Sequence, residues 1–287
     1  MSWEEEEREK GWTRREWVKL GLTAGALGSI ASLGGLAVGQ LLPPPYKFEG
    51  EIRETIQYTK FPTPQWWNAK AGSPVRVADF QEWQGATGVW RGLFQGTTYV
   101  PGTGYPCMII RIKRENQFFK VPPDDQLPGA FKKLQESDSA FQLYFDDPTL
   151  DAANGGTRIV VLFDRCVHLC CYPGWHVVDN PPPGTDYYPT YVATDPTVDP
   201  SVVPTWAAFN QRPVYCVCHG SQYDPMLLVV NVNPKNEEPY VGAERVHGPA
   251  PRALAVIPVK LQGLNLVGGM PLDPASGKPD VAWYTYC

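Results

Sequence analysis

The chain has 287 residues, 30 of them Pro and 27 Gly, so roughly one residue in five punctuates the backbone against an average of about 12%, which excludes long helical bundles and coiled coils. Apolar residues at 43%, with 10 Trp, 14 Tyr and 11 Phe, are too many for a disordered chain. A net charge of -5 with no basic tract speaks against a nucleic-acid partner, and what remains is a loop-rich, β-dominated class of one to two domains.

The N-terminal stretch, residues 1–19, carries most of TRREWVKLG (Thr13 to Gly21), where Arg14 and Arg15 precede an aromatic residue and a Lys. It resembles the twin-arginine signal of proteins exported after folding. Leu20 to Leu42 then runs for 23 positions without a charge. As a helix it reaches roughly 34 Å, enough for a hydrocarbon core of about 30 Å. Its length exceeds an ordinary signal core, so it is expected to stay as a transmembrane anchor rather than be cleaved after Ala37-Val38-Gly39. Arg14, Arg15 and Lys19 place the N-terminus in the cytoplasm and everything after Pro43 on the extracytoplasmic, periplasmic face. Pro43-Pro44-Pro45 cannot continue a helix and reads as a stiff spacer, opening a linker over 43–72.

From Ser73 to Cys287 the chain shows short apolar runs between turn residues. Met108 to Lys113, Arg158 to Phe163, Met226 to Val232, Ala253 to Leu261 and Val281 to Tyr286 are rich in β-branched and aromatic residues and predict strands of antiparallel sheets. Pro128 to Ser137 predicts one helix, with Pro at its start. Asn180 to Pro213 carries eight Pro without periodicity and reads as a long surface insertion.

Chemistry concentrates in two short stretches: C-V-H-L-C-C, Cys166 to Cys171, and C-V-C-H-G-S-Q-Y-D, Cys216 to Asp224. In each, a Cys and a His are separated by one or two residues, so one tight loop can turn both toward a common ion. Cys166, His168, Cys216 and His219 make a two-sulfur, two-nitrogen set that suits tetrahedral zinc. Zinc leaves Cys171 and Cys218 unexplained; in an oxidising compartment those two can form a disulfide that clamps one loop to the other.

At these residues the chain resembles the Rieske iron-sulfur proteins, whose motifs have the forms C-x-H-x-G-C and C-x-C-H-G-S-x-Y-D. The resemblance implies an all-β fold of antiparallel sheets with a small cluster-binding subdomain, about 164–224, interrupted by the insertion. It implies a [2Fe-2S] cluster with Cys166 and Cys216 on one iron and His168 and His219 on the other, and a bridging disulfide between Cys171 and Cys218. Ser221 and Tyr223 stand where the quinol-oxidising members place hydroxyls that hydrogen-bond a bridging sulfide and a cysteine sulfur, which raises the reduction potential. Gly248-Pro249-Ala250-Pro251 is similar to the loop that covers the cluster in the same group.

Three features depart from the pattern. Cys170 replaces the usual Gly, which implies either a different loop geometry or mild strain. Val217 replaces the usual Pro, and the two motifs lie far apart. Cys170 is also a rival disulfide partner, and Cys107 and Cys287 could pair or stay free. His176 and His247 match no motif position.

The resemblance implies a membrane-anchored electron-transfer subunit of a cytochrome bc-like complex. His219 would contact quinol and accept its proton, and Leu169 would form an apolar docking tip against a cytochrome b-like partner. The electron would pass to a cytochrome c or equivalent acceptor. Two alternatives stay open: a Rieske small subunit of an arsenite-oxidase-like molybdoenzyme, and a zinc-stabilised exported binding module.

Overall fold

The computed structural model describes residues 50–115, 119–175, 214–234, 236–273, 275–277 and 280. The chain divides into two units between Glu49 and Gly50, and the fold below is that of the second. The twin-arginine motif, the expected anchor, the Pro43–Pro45 spacer, the insertion, the strand expected at Val281 to Tyr286, His176 and Cys287 all lie outside the described residues. No helix among the described residues is long and apolar enough to cross a membrane.

The described part is mostly β-sheet with one α-helix. In chain order the elements are β1 (Glu51–Ile52), β2 (Gln57–Tyr58), β3 (Gly85–Trp90), β4 (Leu93–Gln95), β5 (Thr98–Tyr99), β6 (Tyr105–Ile112), α1 (Gly129–Ser137), β7 (Phe145–Asp147) and β8 (Thr157–Phe163). After the insertion follow β9 (Val214–Tyr215), β10 (Gln222–Val232), β11 (Pro239–His247), β12 (Leu254–Ala255), β13 (Val259–Gln262) and β14 (Asn265–Gly268). They build a five-stranded sheet, β2-β3-β6-β8-β7, a four-stranded sheet, β12-β11-β10-β9, and two small sheets, β1-β4-β5 and β13-β14. All named strand pairs are antiparallel.

The five-stranded sheet is buried on both faces, which explains why β6 and β8 read as continuous apolar runs rather than alternating ones. Side chains alternate across a strand, and two cores result. Met108, Ile110, Ile112, Val160 and Leu162 face one cluster, shared with Val214, Met226, Leu228 and Val241 of the four-stranded sheet. Cys107, Ile109, Ile159 and Val161 face the other, with Ile56, Tyr58, Trp67 and Val75. Charged side chains are buried too: Arg111 in β6 donates to the carbonyl of Phe80 and is paired with Asp151.

The folded unit starts earlier than expected. Residues 43–72 read as linker because of their Pro content, yet from Gly50 they are structured: β2 pairs with β3 and Ile56, Tyr58 and Trp67 are fully buried. Aromatic packing overrides the Pro signal, with Trp66 and Trp67 edge-to-face at 5.8 Å. The run Ala253 to Leu261 is split between β12 and β13, because Pro258 offers no N–H to a ladder. The helix falls where predicted, with Pro128 at its N-cap.

Candidate metal centre

β8 ends at Phe163 and β10 begins at Gln222, and the two motif loops leave from these ends. The first runs from Cys166 to Cys171, the second from Cys216 to Ser221, and they close by the same pair of backbone bonds. Cys170 N–H donates to Cys166 O at 3.0 Å and Cys166 N–H to Cys171 O at 2.8 Å; Gly220 N–H donates to Cys216 O at 2.9 Å and Cys216 N–H to Ser221 O at 2.8 Å. The fifth residue of each loop must be left-handed for this closure. Gly220 has φ +77° and Cys170 φ +60°, so the Cys in place of Gly keeps the loop geometry and accepts the strain, of roughly 1–2 kcal/mol for a residue with a Cβ.

The loops are joined in two ways. Gly174 and Tyr215 exchange two backbone hydrogen bonds, each 2.8 Å. Cys171 and Cys218 form a disulfide across 47 residues of sequence, with Cα atoms 6.6 Å apart. Cys170 is not the partner of Cys218, but it is disulfide-bonded as well. Cys107 is a free buried thiol on the opposite face of the five-stranded sheet from Cys166 and Cys216.

Closure brings the expected ligands together in two like pairs. Cys166 and Cys216 are free, buried thiols that hydrogen-bond to each other, and burial pushes the Cys216 thiol up. The rings of His168 and His219 stand edge-to-face with centroids 4.7 Å apart. His168 is half-buried and its Nδ1 has no hydrogen-bond partner among the described residues, while His219 is exposed. A buried nitrogen without a partner is costly unless something else takes its lone pair, and a pair of free thiols and a pair of imidazoles carried by the same two loops are donor types that fit a thiolate- and imidazole-ligated metal group. The Sγ atoms of Cys171, Cys216 and Cys218 also lie within 4.8 Å of one another. That trio is no ligand set, because two of its sulfurs are tied to each other.

Around the donors, the buried hydroxyl of Tyr223 lies 3.1 Å from Cys166 Sγ. Burial first, and then this contact, raise the phenol well above its usual range, and either atom of the pair can donate. Ser221 is fully buried, and its Oγ accepts from Ala250 N–H at 3.1 Å. Gly248 sits at φ +87°, and a Cβ there would meet Ser221 Cα at 2.5 Å, so the Gly248 to Pro251 loop packs directly on the second cysteine loop. At the exit of β8, burial pushes the Asp164 carboxyl up to about 7, with Arg165 pulling the other way. Arg165 also lies 3.9 Å over the Tyr172 ring and donates to Cys170 O, bracing the first loop. At the rim, Leu169 and Val217 are 61% and 76% exposed, leaving apolar side chains beside the imidazoles.

The motifs did not reveal the Gly174–Tyr215 exchange, since backbone pairing leaves no mark in residue type, nor the role of Gly220, whose signal is a Gly five positions into the loop. No protein-family model matches the chain, and neither does any curated protein sequence.

Proposed function

We propose that the chain is a Rieske-type protein that holds a [2Fe-2S] cluster on Cys166, Cys216, His168 and His219, and that it serves as the electron-transfer subunit of a membrane quinol-oxidising, cytochrome bc-like complex. The observation that carries the reading is the convergence of two disulfide-joined loops on two free buried thiols and two adjacent imidazoles, one with an unpartnered buried nitrogen. Bound there, the cluster supplies one-electron redox chemistry at a potential raised by its imidazole ligands.

The chain's own residues supply the rest. Tyr223 donates toward Cys166 and favours the electron-rich state of that sulfur. His219, exposed at the rim, offers its outward ring nitrogen to a quinol hydroxyl and holds the proton that leaves with the electron. Leu169 and Val217 exclude water around that contact against a cytochrome b-like partner. A cytochrome c or an equivalent carrier then accepts the electron. The segment Leu20 to Leu42 anchors the chain, with the folded unit on the periplasmic side.

Iron and acid-labile sulfide analysis of the full chain tests the reading: two of each per chain are expected, and zinc without sulfide contradicts it. Copurification separates the quinol-oxidising role from the molybdoenzyme alternative, a b-type cytochrome supporting the first and a molybdenum protein the second.

A further inference from the structure

We infer that the backbone N–H of Ala250 is a positioning group for the candidate centre: it occupies an acceptor site of the Ser221 hydroxyl and so turns that hydroxyl's own hydrogen toward the cluster sulfur. The inference rests on the reading above and adds a residue whose side chain carries no chemistry.

The geometry begins in the sheet. Gln222 pairs with His247 across β10 and β11, so the chain leaving β11 turns back over the residue that precedes β10, which is Ser221. Gly248 makes this turn at φ +87°. A Cβ there would lie 2.5 Å from Ser221 Cα and 2.7 Å from Gly220 O, both backbone atoms that cannot step aside. Only a residue without a side chain lets the two backbones touch.

Next comes Pro249-Ala250-Pro251. Neither Pro has an N–H, so Ala250 carries the one backbone donor of these three residues. Ala250 also precedes a Pro, which favours extended geometry there and lowers the entropy of the loop. That single donor points at Ser221 Oγ, 3.1 Å away, with Ala250 and Ser221 both buried.

A serine hydroxyl has two acceptor lone pairs and one donor hydrogen that rotates to suit its surroundings. With one lone pair filled from the Ala250 side, the hydrogen is directed away from it. Among the described residues Ser221 Oγ has this one hydrogen bond, so its donor is left for a ligand in the centre. Chained hydrogen bonds polarise one another, so the Ala250 N–H also strengthens the donor it orients. Removing it weakens stabilisation of the reduced cluster and lowers the potential.

The test replaces Ala250 by its α-hydroxy acid, lactate, through nonsense suppression in the full chain. The backbone amide becomes an ester, and the N–H disappears while the methyl group stays. Pro249 O accepts no backbone hydrogen bond among the described residues, so the weaker ester carbonyl loses nothing. Expected are unchanged iron and sulfide content, a lowered midpoint potential in the ester protein and in Ser221→Ala, and no further lowering when the two are combined. An unchanged potential in the ester protein, or an undiminished shift in the Ser221→Ala background, overturns the inference. Should the ester protein fail to fold, amide exchange in the metal-free chain decides. Ser221→Ala accelerates exchange at Ala250 and Ser221→Thr restores its protection; equal exchange in all three overturns the bond. Absence of iron and sulfide from the unmodified chain defeats the cluster reading instead, and the exchange result then stands on its own for the Ala250–Ser221 contact.

Discussion

The β6–β8 pair and the two cysteine loops adjoin in the chain and are held in opposite ways. In the strands, Met108 to Ile112 and Ile159 to Leu162 are buried on both faces, and position follows from apolar area removed from water. In the loops, Leu169, Val217 and His219 are exposed, Cys170 is left-handed, and position follows from a disulfide and a few backbone hydrogen bonds. The contrast teaches where the precision of the two loops comes from. The loops cannot bury enough side chain to order themselves, so covalent closure and matched turns do it, on a base rigid enough to hold their ends.

Cutting the clamp has the largest expected effect. Cys218→Ser removes a loop-closure constraint of about 4 kcal/mol by the chain-entropy model. The comparison places the loss in the loops: amide protection collapses at Cys166 to Cys171 and Cys216 to Ser221, metal retention and potential fall, and β6 and β8 stay protected. Uniform loss across the strands would show that loops and base are one unit after all. Ile110→Ala is the converse, costing about 3 kcal/mol from lost burial and the cavity left behind. Denaturant unfolding should show it as a global loss, with the donor arrangement intact at low denaturant.

The base also contains a charge that sharpens the contrast. Arg111 is buried against Asp151, whose carboxyl is held below the usual carboxylate range by that guanidinium and by Asn154. Asp151→Asn keeps the side chain's shape and leaves Arg111 uncompensated, at about 2 kcal/mol once the partial exposure of Asp151 is allowed for. Because the folded-state value is depressed, the stabilisation is complete above the ordinary carboxylate range and disappears as pH falls through the depressed value. Thermal unfolding of the native chain and Asp151→Asn should therefore differ at neutral pH and converge in acid. Tyr223→Phe has the smallest effect on folding, about 1 kcal/mol for one buried hydrogen bond. In the loaded protein it should lower the midpoint potential, and an equal potential would remove Tyr223 from the account.

How much of this was legible follows from the same contrast. The runs at Met108 and Arg158 announce strands because β-branched burial shows in residue type. β3, GATGVW, and β11, PYVGAERVH, do not: their glycines suppress strand propensity, yet they are required by close neighbours. A Cβ at Gly88 would meet Gln57 O at 2.8 Å, and one at Gly242 would meet Leu254 O at 2.7 Å. β10 was read from Met226 but begins at Gln222, its ladder slipping between Asp224 and Leu228 around Pro225. At the site, Cys and His spacing pointed to the candidate donors, and the Cys171–Cys218 pairing followed from the family resemblance, with Cys170 left as a rival partner. The matched loop closures and the Ala250 contact are made by backbone atoms that every residue carries, so spacing could not reveal them.

The most direct measurement of the central claim is electron paramagnetic resonance of the full chain reduced after purification with its native metal. The account predicts a rhombic signal with an average g below the free-electron value, lost in Cys166→Ser and His168→Ala. A silent spectrum from a chain that carries zinc on the same four side chains would contradict it.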